Sequence, residues 1–189
     1  MIDERTRKQL LDISDMSIRH GLEKGAPLKF NINDLPAPLR EPGASFVTLK
    51  IHGQLRGCIG ALQATQALGQ DVADHAWAAA FQDPRFAPLR EDEYPLLDIH
   101  ISVLEPAETI DCHSEDELLA QLRPGEDGLI LEDGPRRATF LPSVWESLPD
   151  KRDFVQQLKL KAGMPANYWS PSMRCMRYSV EEFGGHVAA

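Results

Sequence analysis

The sequence contains few cysteines, and none of them has the spacing of a zinc site. Cys58, Cys112 and Cys175 are far apart, odd in number and free of any C-x-x-C pair. This pattern argues against a disulfide framework and against a zinc finger, and it is typical of a reducing compartment. A chain of 189 residues can bury enough surface to fold without either kind of cross-link.

Long apolar runs and nucleotide-binding signatures are also missing. No hydrophobic run approaches the roughly 20 residues of a membrane span. The first residues, MIDERTRKQLL, are charged from the third onward, unlike a signal peptide. No Walker loop, GxGxxG, HExxH or GxSxG motif occurs. We therefore expect a cytoplasmic protein that is not bound to a membrane, with no metal site and no cofactor.

The charge is acidic and unevenly distributed. The formal net charge is −9, and fourteen Asp and Glu residues lie between positions 91 and 134, where Arg123 is the single arginine and lysine is absent. From position 135 onward, eight Lys and Arg residues outnumber five acids. A nucleic-acid-binding domain would show a basic footprint, so this class is not expected. The pattern indicates either a solvated acidic face beside a mildly basic one, or a bipolar surface that orients a protein partner.

Helical segments and β-hairpins alternate along the chain. Periodicity and capping residues predict helices over 3–24, from Thr65 to about Gln82, from Ser114 to about Arg123, after Pro142, and over 150–163. Alternating apolar residues predict strands over 46–51, 55–62, 97–103 and 173–180, and a hairpin around Asp133-Gly134. This order favours an α+β fold, with an antiparallel or mixed sheet flanked by helices. Because no linker is evident, residues 1–189 are predicted to form one domain, with a smaller lobe from loop and C-terminal segments packed against the sheet.

The stretch from Leu55 to Gly60, LRGCIG, is the return strand of a predicted hairpin that turns at His52-Gly53. In a regular strand Arg56 and Cys58 share one face at roughly 6–7 Å, where a guanidinium favours a thiolate. The two glycines would let a ligand or another backbone approach closely. Cys58 is therefore either a nucleophile beside an open notch or a small apolar residue in a tightly packed strand.

Other candidate residues lie outside this strand. His100, on the polar face of its predicted strand, is the best candidate for a base, since that strand can lie in the same sheet. Asp83, Arg85 and Phe86 follow a helix, and they form either an anion or partner site or an ordinary Asp-Pro turn. Cys112-His113 beside Asp111 is a weak metal signal, because adjacent residues of an extended segment point to opposite sides.

LRGCIG, followed by AAAFQDPRFAPLREDE and ISVLEP, resembles the AMMECR-domain family, in particular the members of the AmmeMemoRadiSam system. PGEDGLILEDG, RRATFLPSVW and LKLKAGMP extend the resemblance over nearly the whole chain. It implies an α+β fold with a smaller lobe, and partners that are a Memo-like protein and a radical-SAM enzyme. It also implies a functional surface, which falls on Leu55, Arg56, Gly57, Cys58, Ile59, Gly60, Asp83, Arg85 and Phe86. The resemblance does not supply a reaction.

Two functional hypotheses follow. In the first, the protein is an accessory component that docks a Memo-like protein or a radical-SAM enzyme through the LRGCIG surface. In the second, it is a small enzyme in which Cys58 is the nucleophile or group carrier and Arg56 binds an anionic small molecule. We favour the accessory role, because the nucleophile has no evident base and the motifs of metal and cofactor sites are missing.

Overall fold

A computed structural model describes residues 2–186. The chain forms two compact units, one of residues up to 104 together with those from 181, the other of residues 105–180. We call them unit 1 and unit 2. Each contains an antiparallel sheet and helices, which confirms the α+β prediction. The prediction of one domain stays a prediction, because compactness alone does not show whether a unit folds independently.

The regular elements follow one another along both units. In chain order they are α1 (Glu4–Lys24), α2 (Ala37–Arg40), β1 (Pro42–Ile51), β2 (Gln54–Gly60), β3 (Gln66–Ala67), α3 (Leu68–Phe81), β4 (Leu97–Leu104), β5 (Glu108–Ile110), α4 (Glu115–Gln121), β6 (Gly128–Asp133), β7 (Arg136–Phe140), α5 (Lys151–Lys161), β8 (Arg174–Tyr178) and β9 (Val180–His186). Short 3-10 helices cover Ile32–Asp34, Tyr94–Leu96 and Pro142–Glu146. Within residues 2–186, none of the helices is both long enough and apolar enough to cross a membrane.

The sheet of unit 1 has the order β2-β1-β4-β9, and β3 also pairs with β1. β1 and β2 form the predicted hairpin, in which His52 and Gly53 have φ values of 50° and 77°. Two successive positive φ values match the twist of adjacent strands, so this sequence stabilises the tight turn. The prediction of a two-residue turn at this place is confirmed.

The helices of unit 1 pack on one face of this sheet. α1 begins after Asp3, whose carboxylate accepts a hydrogen bond from the Thr6 N–H, and it ends at Gly25 in the left-handed region. α3 begins later than predicted, and Thr65 does not cap it. Residues 66 and 67 instead pair with β1, and the Leu68 N–H donates to the Glu41 carbonyl.

The core of unit 1 lies between these helices and the sheet. Its fully buried apolar side chains include Leu10, Ile18, Val47, Leu49, Val72, Ala76, Leu97 and Ile101. On β1 and β4 they alternate with half-buried residues, which face the opposite side of the sheet. We call that opposite side the outer face, and define it by Thr48, Lys50, Leu55, Cys58, Asp98 and His100.

Unit 2 has its own sheet, of order β5-β8-β6-β7. α4 begins at the predicted cap, where Ser114 accepts a hydrogen bond from the Glu117 N–H. α5 begins after Asp150 and buries Phe154, whose ring stacks on Trp145 at 3.7 Å between centroids. The short strand β5 and residues 181–186 of β9 were not predicted from the sequence.

Candidate functional site

The LRGCIG motif lies in β2, an edge strand of the sheet of unit 1. Its pairing with β1 contains a bulge: Lys50 lies opposite Leu55, whereas Leu49 lies opposite Gly57. Arg56 is therefore an extra residue, and the strict two-residue alternation breaks at this point. The expectation that Arg56 and Cys58 are alternate residues of a regular strand is wrong.

The two glycines of the motif are places of close approach. A Cβ at Gly57 would lie 2.0 Å from the carbonyl oxygen of Ala79 in α3, and one at Gly60 would lie 2.4 Å from the Phe46 ring. The sequence offered a ligand or another backbone as the reason for these glycines. The structure shows a backbone at Gly57, and both the Phe46 ring and the Ser45 carbonyl oxygen at Gly60. The expected open notch beside Cys58 is therefore filled by the protein itself.

Cys58 lies in a row of three residues that crosses the outer face. Thr48 of β1 is directly opposite Cys58 on one side and His100 of β4 on the other. The Thr48 hydroxyl donates a hydrogen bond to the Cys58 sulfur at 3.2 Å. Strands are roughly 4.8 Å apart, so Cys58 and His100 are about 10 Å apart at their Cα atoms. The predicted base is thus in the same sheet and on the same face, with a hydroxyl between it and the thiol.

His100 has space for its imidazole because of a glycine on β9. A Cβ at Gly184 would lie 2.5 Å from His100 Nδ1. The neighbouring row of the outer face contains Lys50 opposite Asp98, and the Asp98 carboxylate accepts a hydrogen bond from His186 Nδ1 at 3.0 Å. The outer face therefore combines a thiol, a hydroxyl, an imidazole, an ammonium and a carboxylate, and the imidazole of His186 contacts that carboxylate.

Asp83 and Arg85 cap the free edge of β2. The Cys58 N–H donates to Asp83 Oδ2 at 2.9 Å, and Arg85 Nη2 donates to the Cys58 carbonyl at 3.5 Å. Arg85 also donates to both Asp83 oxygens, at 3.0 and 2.7 Å. These bonds from Arg85, followed by those from the Cys58 and Arg85 N–H groups, hold the pKa of the Asp83 carboxyl far below its ordinary value, against the opposing effect of burial. Two side chains thus replace the strand that would otherwise continue the sheet.

Arg56 forms a bidentate ion pair with Glu93. Its Nε and Nη2 donate to the two carboxylate oxygens of Glu93 at 3.0 and 2.9 Å, and Nη2 also donates to the Ala87 carbonyl. The Arg56 side chain is only 12% exposed and lies over the Phe86 ring at 5.8 Å. Hydrogen bonds from Arg56 lower the pKa of Glu93. This geometry orients Arg56 toward the segment after α3 rather than toward Cys58.

The predicted surface residues therefore have two kinds of position. Leu55 and Cys58 lie on the outer face, and Leu55 is 42% exposed. Arg56, Asp83 and Arg85 bind other groups of unit 1, and Phe86 packs under both arginines. Gly57 and Ile59 lie opposite Leu49 and Val47, on the helix side of the sheet, and Gly60 lies opposite Phe46.

Sequence reasoning missed three residues that matter at this site. Glu93 determines where Arg56 points, and Thr48 contacts the Cys58 sulfur. Asp71, which is 1% exposed, accepts a hydrogen bond from Ser45 at 2.6 Å and lies 3.1 Å from His75 Nδ1. Because the Ser45 hydroxyl donates to the carboxylate and is fully buried, this trio is not a serine nucleophile with its base. Alternation and helical spacing place such residues on a face but do not predict which of them meet.

The weak metal signal does not form a site. Cys112 packs against the apolar core of unit 2, whereas the side chain of His113 is 85% exposed beside Asp111. Among residues 2–186, no group of three or more His, Cys, Asp or Glu side chains is arranged to hold a metal ion.

Two cavities of unit 1 lie along α1 and β9. One has a volume of about 370 Å³ and contains Lys8, Asp15 and His186 in its wall, and the other has a volume of about 680 Å³ and contains Arg5, Arg7 and Phe183. Neither is lined by a residue of LRGCIG. Among the charged residues of these walls, Arg7 is paired with Glu181 and Asp15 with Arg19.

Comparison with known proteins identifies the family that the sequence matches. A family model described as AMMECR1 matches residues 11–183. A protein of Methanothermobacter thermautotrophicus is 34% identical over 182 residues, which cover 93% of this chain and 92% of that protein. A protein of Thermotoga maritima is 38% identical over 146 residues, 76% of this chain and 78% of that protein.

The fold is shared with a protein of known structure. The crystal structure of an uncharacterised protein of Pyrococcus horikoshii, PH0010, matches with a TM-score of 0.81 at 30% sequence identity. The match covers 93% of this chain and 89% of that one. The similarity therefore extends over both units.

Proposed function

Because the chain belongs to the AMMECR1 family, we propose that it is a partner-binding component that acts with a Memo-like protein and a radical-SAM enzyme. Docking occurs through the outer face, which contains Leu55 and Cys58 of LRGCIG. The observation that supports this role is that the charged groups around the motif are already paired inside the chain, whereas Leu55 is exposed.

The charged residues of the motif are paired within the chain, and this favours partner binding over catalysis on an anionic substrate. An arginine that receives an anionic substrate needs free donors, but Arg56 holds Glu93 through two nitrogens. Of its donors, Nη1 alone is buried and without a partner among residues 2–186. The close contacts of Gly57 and Gly60 and the capped edge make β2 rigid. A rigid surface loses little conformational entropy when a partner docks on it.

The test is binding of the purified Memo-like and radical-SAM proteins from the same genome to two leucine variants. Leu55→Asp places a charge on the outer face, and we expect it to weaken binding at least tenfold, as the loss of a central apolar contact does. Leu160→Asp is the matched control, because Leu160 is also an exposed leucine, at 51%, but lies on α5 of unit 2. Equal binding of both variants to either partner would contradict docking through the outer face.

A charge swap separates positioning from direct contact at Arg56. Arg56→Glu breaks the pair with Glu93, and we expect it to weaken partner binding because β2 is displaced. The double variant with Glu93→Arg restores an ion pair of opposite direction, so binding should recover. If the swap leaves binding as weak as the single variant, Arg56 touches the partner itself and the positioning role is wrong.

A second candidate function is an enzyme that uses Cys58 as nucleophile or group carrier. The row Cys58–Thr48–His100 favours it, since a hydroxyl bonded to the sulfur lies between the thiol and an imidazole. It predicts that Cys58 reacts with iodoacetamide faster in the native chain than in the unfolded chain at the same pH. Slower labelling in the native chain, together with full partner binding by Cys58→Ser, would contradict the enzymatic role and leave docking as the one supported function.

A further inference from the structure

Unit 2 contains a second thiol site, formed by residues that are distant in sequence. β5 pairs with β8 so that Ile110 lies directly opposite Cys175. Cys112 follows Ile110 by two residues and therefore projects to the same side of the sheet. Its sulfur turns back toward β5 and lies 3.7 Å from the Ile110 carbonyl oxygen. Sheet pairing thus brings the two cysteine side chains together on the side covered by the helices of unit 2.

The two thiols share one environment in unit 2. Both are free, burial raises the pKa of both, and each thiol also acts on the pKa of the other. Both also belong to one apolar cluster, Cys175 as a buried member and Cys112 packed against it. Cysteines on one face of neighbouring strands can form a disulfide where their Cβ atoms approach to about 4 Å.

The pair is asymmetric in exposure. Cys175 is 1% exposed and lies on β8, between β5 and β6, whereas Cys112 is half-buried in the segment that follows β5. Burial raises the pKa of the Cys175 thiol, and the nearby Lys159 ammonium opposes that rise. Because Cys112 is the more exposed thiol, solvent reaches it first, and the raised pKa of Cys175 makes its attack on Cys112 the slower step.

We propose that Cys112 and Cys175 are a redox-active dithiol site that exchanges with a small disulfide of the glutathione class. Cys112 thiolate attacks one sulfur of the small disulfide, whose S–S bond breaks and releases one small thiol after protonation by water. Cys175, after losing its proton to water, attacks the Cys112 sulfur and releases the second small thiol. The protein loses two electrons and two protons, and the small disulfide gains both.

This site is independent of the docking role, because it lies wholly in unit 2 and uses no residue of LRGCIG. The scattered cysteine spacing argues against permanent cross-links, and it does not exclude a reversible one. The bond would close a loop that contains α4, β6, β7 and α5. A cross-link of such a loop restricts the unfolded chain, so oxidation should raise Tm by on the order of 10 °C.

The test is oxidation of the full chain in excess oxidised glutathione, followed by alkylation, intact mass and peptide mapping. We expect a protein about 2 Da lighter, with one peptide pair joined through Cys112 and Cys175. Cys58→Ser should form the same bond to the same extent, since the third thiol takes no part. Cys112→Ser, a change at a half-buried position, should abolish both the bond and the rise in Tm.

Three results would overturn the proposal. They are an unchanged mass in excess oxidised glutathione, glutathione that stays attached to Cys112 without release by Cys175, and a bond that joins Cys58 instead. Because Cys175→Ser disturbs the core, the assignment depends on Cys112→Ser and on the mapped peptides. Addition of excess reduced glutathione should return the starting mass and the original Tm.

Discussion

Cys58 and Cys175 both lie within short β-strands, yet the two strands have opposite surroundings. β2, which contains Cys58, is at the edge of the sheet of unit 1, whereas β8, which contains Cys175, lies between two neighbours in unit 2. Cys58 is half-buried and accepts a hydrogen bond from a hydroxyl, whereas Cys175 is 1% exposed in an apolar cluster that Cys112 also contacts. The position of a strand in its sheet, rather than the residues beside the cysteine, decides what the thiol can meet.

The two strands are also held in different ways. Backbone ladders satisfy both sides of β8, because β5 and β6 pair with it. One side of β2 is satisfied by the side chains of Asp83 and Arg85. A strand edge that depends on side chains is sensitive to single substitutions and to pH, whereas a central strand is not.

The largest expected effect is at the glycine beside Cys58. Gly57→Ala places a Cβ 2.0 Å from a backbone oxygen of α3, which cannot move without the helix. We expect a loss of about 3 kcal/mol or more in the free energy of unfolding, measured by urea denaturation. In unit 2, Gly128→Ala meets the Tyr178 ring at 2.4 Å, and a ring can shift, so the loss should be smaller. Equal losses of stability in the two variants would show that the α3 backbone moves aside as readily as the Tyr178 ring.

The next effect concerns the capped edge and its pH dependence. Asp83→Asn should lower the free energy of unfolding by about 2 kcal/mol at neutral pH, because an amide accepts the Arg85 and Cys58 hydrogen bonds less well than a carboxylate. The folded state lowers the pKa of Asp83. The unfolded chain therefore takes up a proton first as pH falls. The contribution of Asp83 is complete above about pH 5, declines progressively below about pH 4, and is lost as the pH approaches the lowered pKa of the folded state. Denaturation at several pH values measures both effects.

The matched control is another Asp–Arg pair with the same spacing. Asp92 pairs with Arg90 at 2.9 Å, but both side chains are about 70% exposed, at 70% and 68%. Asp92→Asn should change neither stability nor its pH dependence measurably, since exposed pairs contribute little. A similar loss in both variants would show that charge alone, and not the capping of β2, explains the effect of Asp83.

A smaller effect is the difference in stability between the serine variants of Cys175 and Cys58. Cys175→Ser places a hydroxyl in the apolar core of unit 2, and we expect it to cost about 1–2 kcal/mol. Cys58→Ser keeps a partner, because the new hydroxyl can still accept from Thr48, so its cost should be below about 0.5 kcal/mol. Thermal unfolding measures both losses. A larger loss for Cys58→Ser than for Cys175→Ser would contradict the placement of Cys58 at a sheet edge and Cys175 in the core.

The smallest expected effect is on the labelling rate of Cys58. In the native chain, iodoacetamide should label Cys58 and leave Cys175 unlabelled until the chain unfolds, because Cys175 is buried. Thr48→Val removes the hydroxyl that orients the Cys58 sulfur, and we expect the labelling rate to change by about threefold or less. An unchanged rate would mean that this hydrogen bond does not influence the thiol.

Much of the fold was predictable from local patterns. Periodicity placed α1, α3, α5 and β4, and the His52-Gly53 pair placed the first hairpin. Residues 181–186 of β9 were not predicted, because apart from Phe183 they are polar or glycine and show no alternation. That segment becomes a strand by pairing with β4, which depends on a partner far away in sequence.

The candidate site was only partly predictable, and the hairpin explains why. Counting outward from the His52-Gly53 turn, Ile51 pairs with Gln54 and Lys50 with Leu55, as observed. The same count continued would place Cys58 opposite Val47, on the core side. The bulge at Arg56 shifts the register by one residue and moves Cys58 to the outer face, opposite Thr48.

The sequence by itself determined the family, the α+β class, the turn of the hairpin and the candidate strand LRGCIG, because all of these follow from residues that are close along the chain. The tertiary structure decided the bulge, the partner of Arg56 and the neighbours of every cysteine. Arg56, the extra residue of the bulge, forms an ion pair with Glu93, and the Ala79 carbonyl leaves room only for glycine at position 57. Both contacts join segments that are distant in sequence, and no local pattern predicts them.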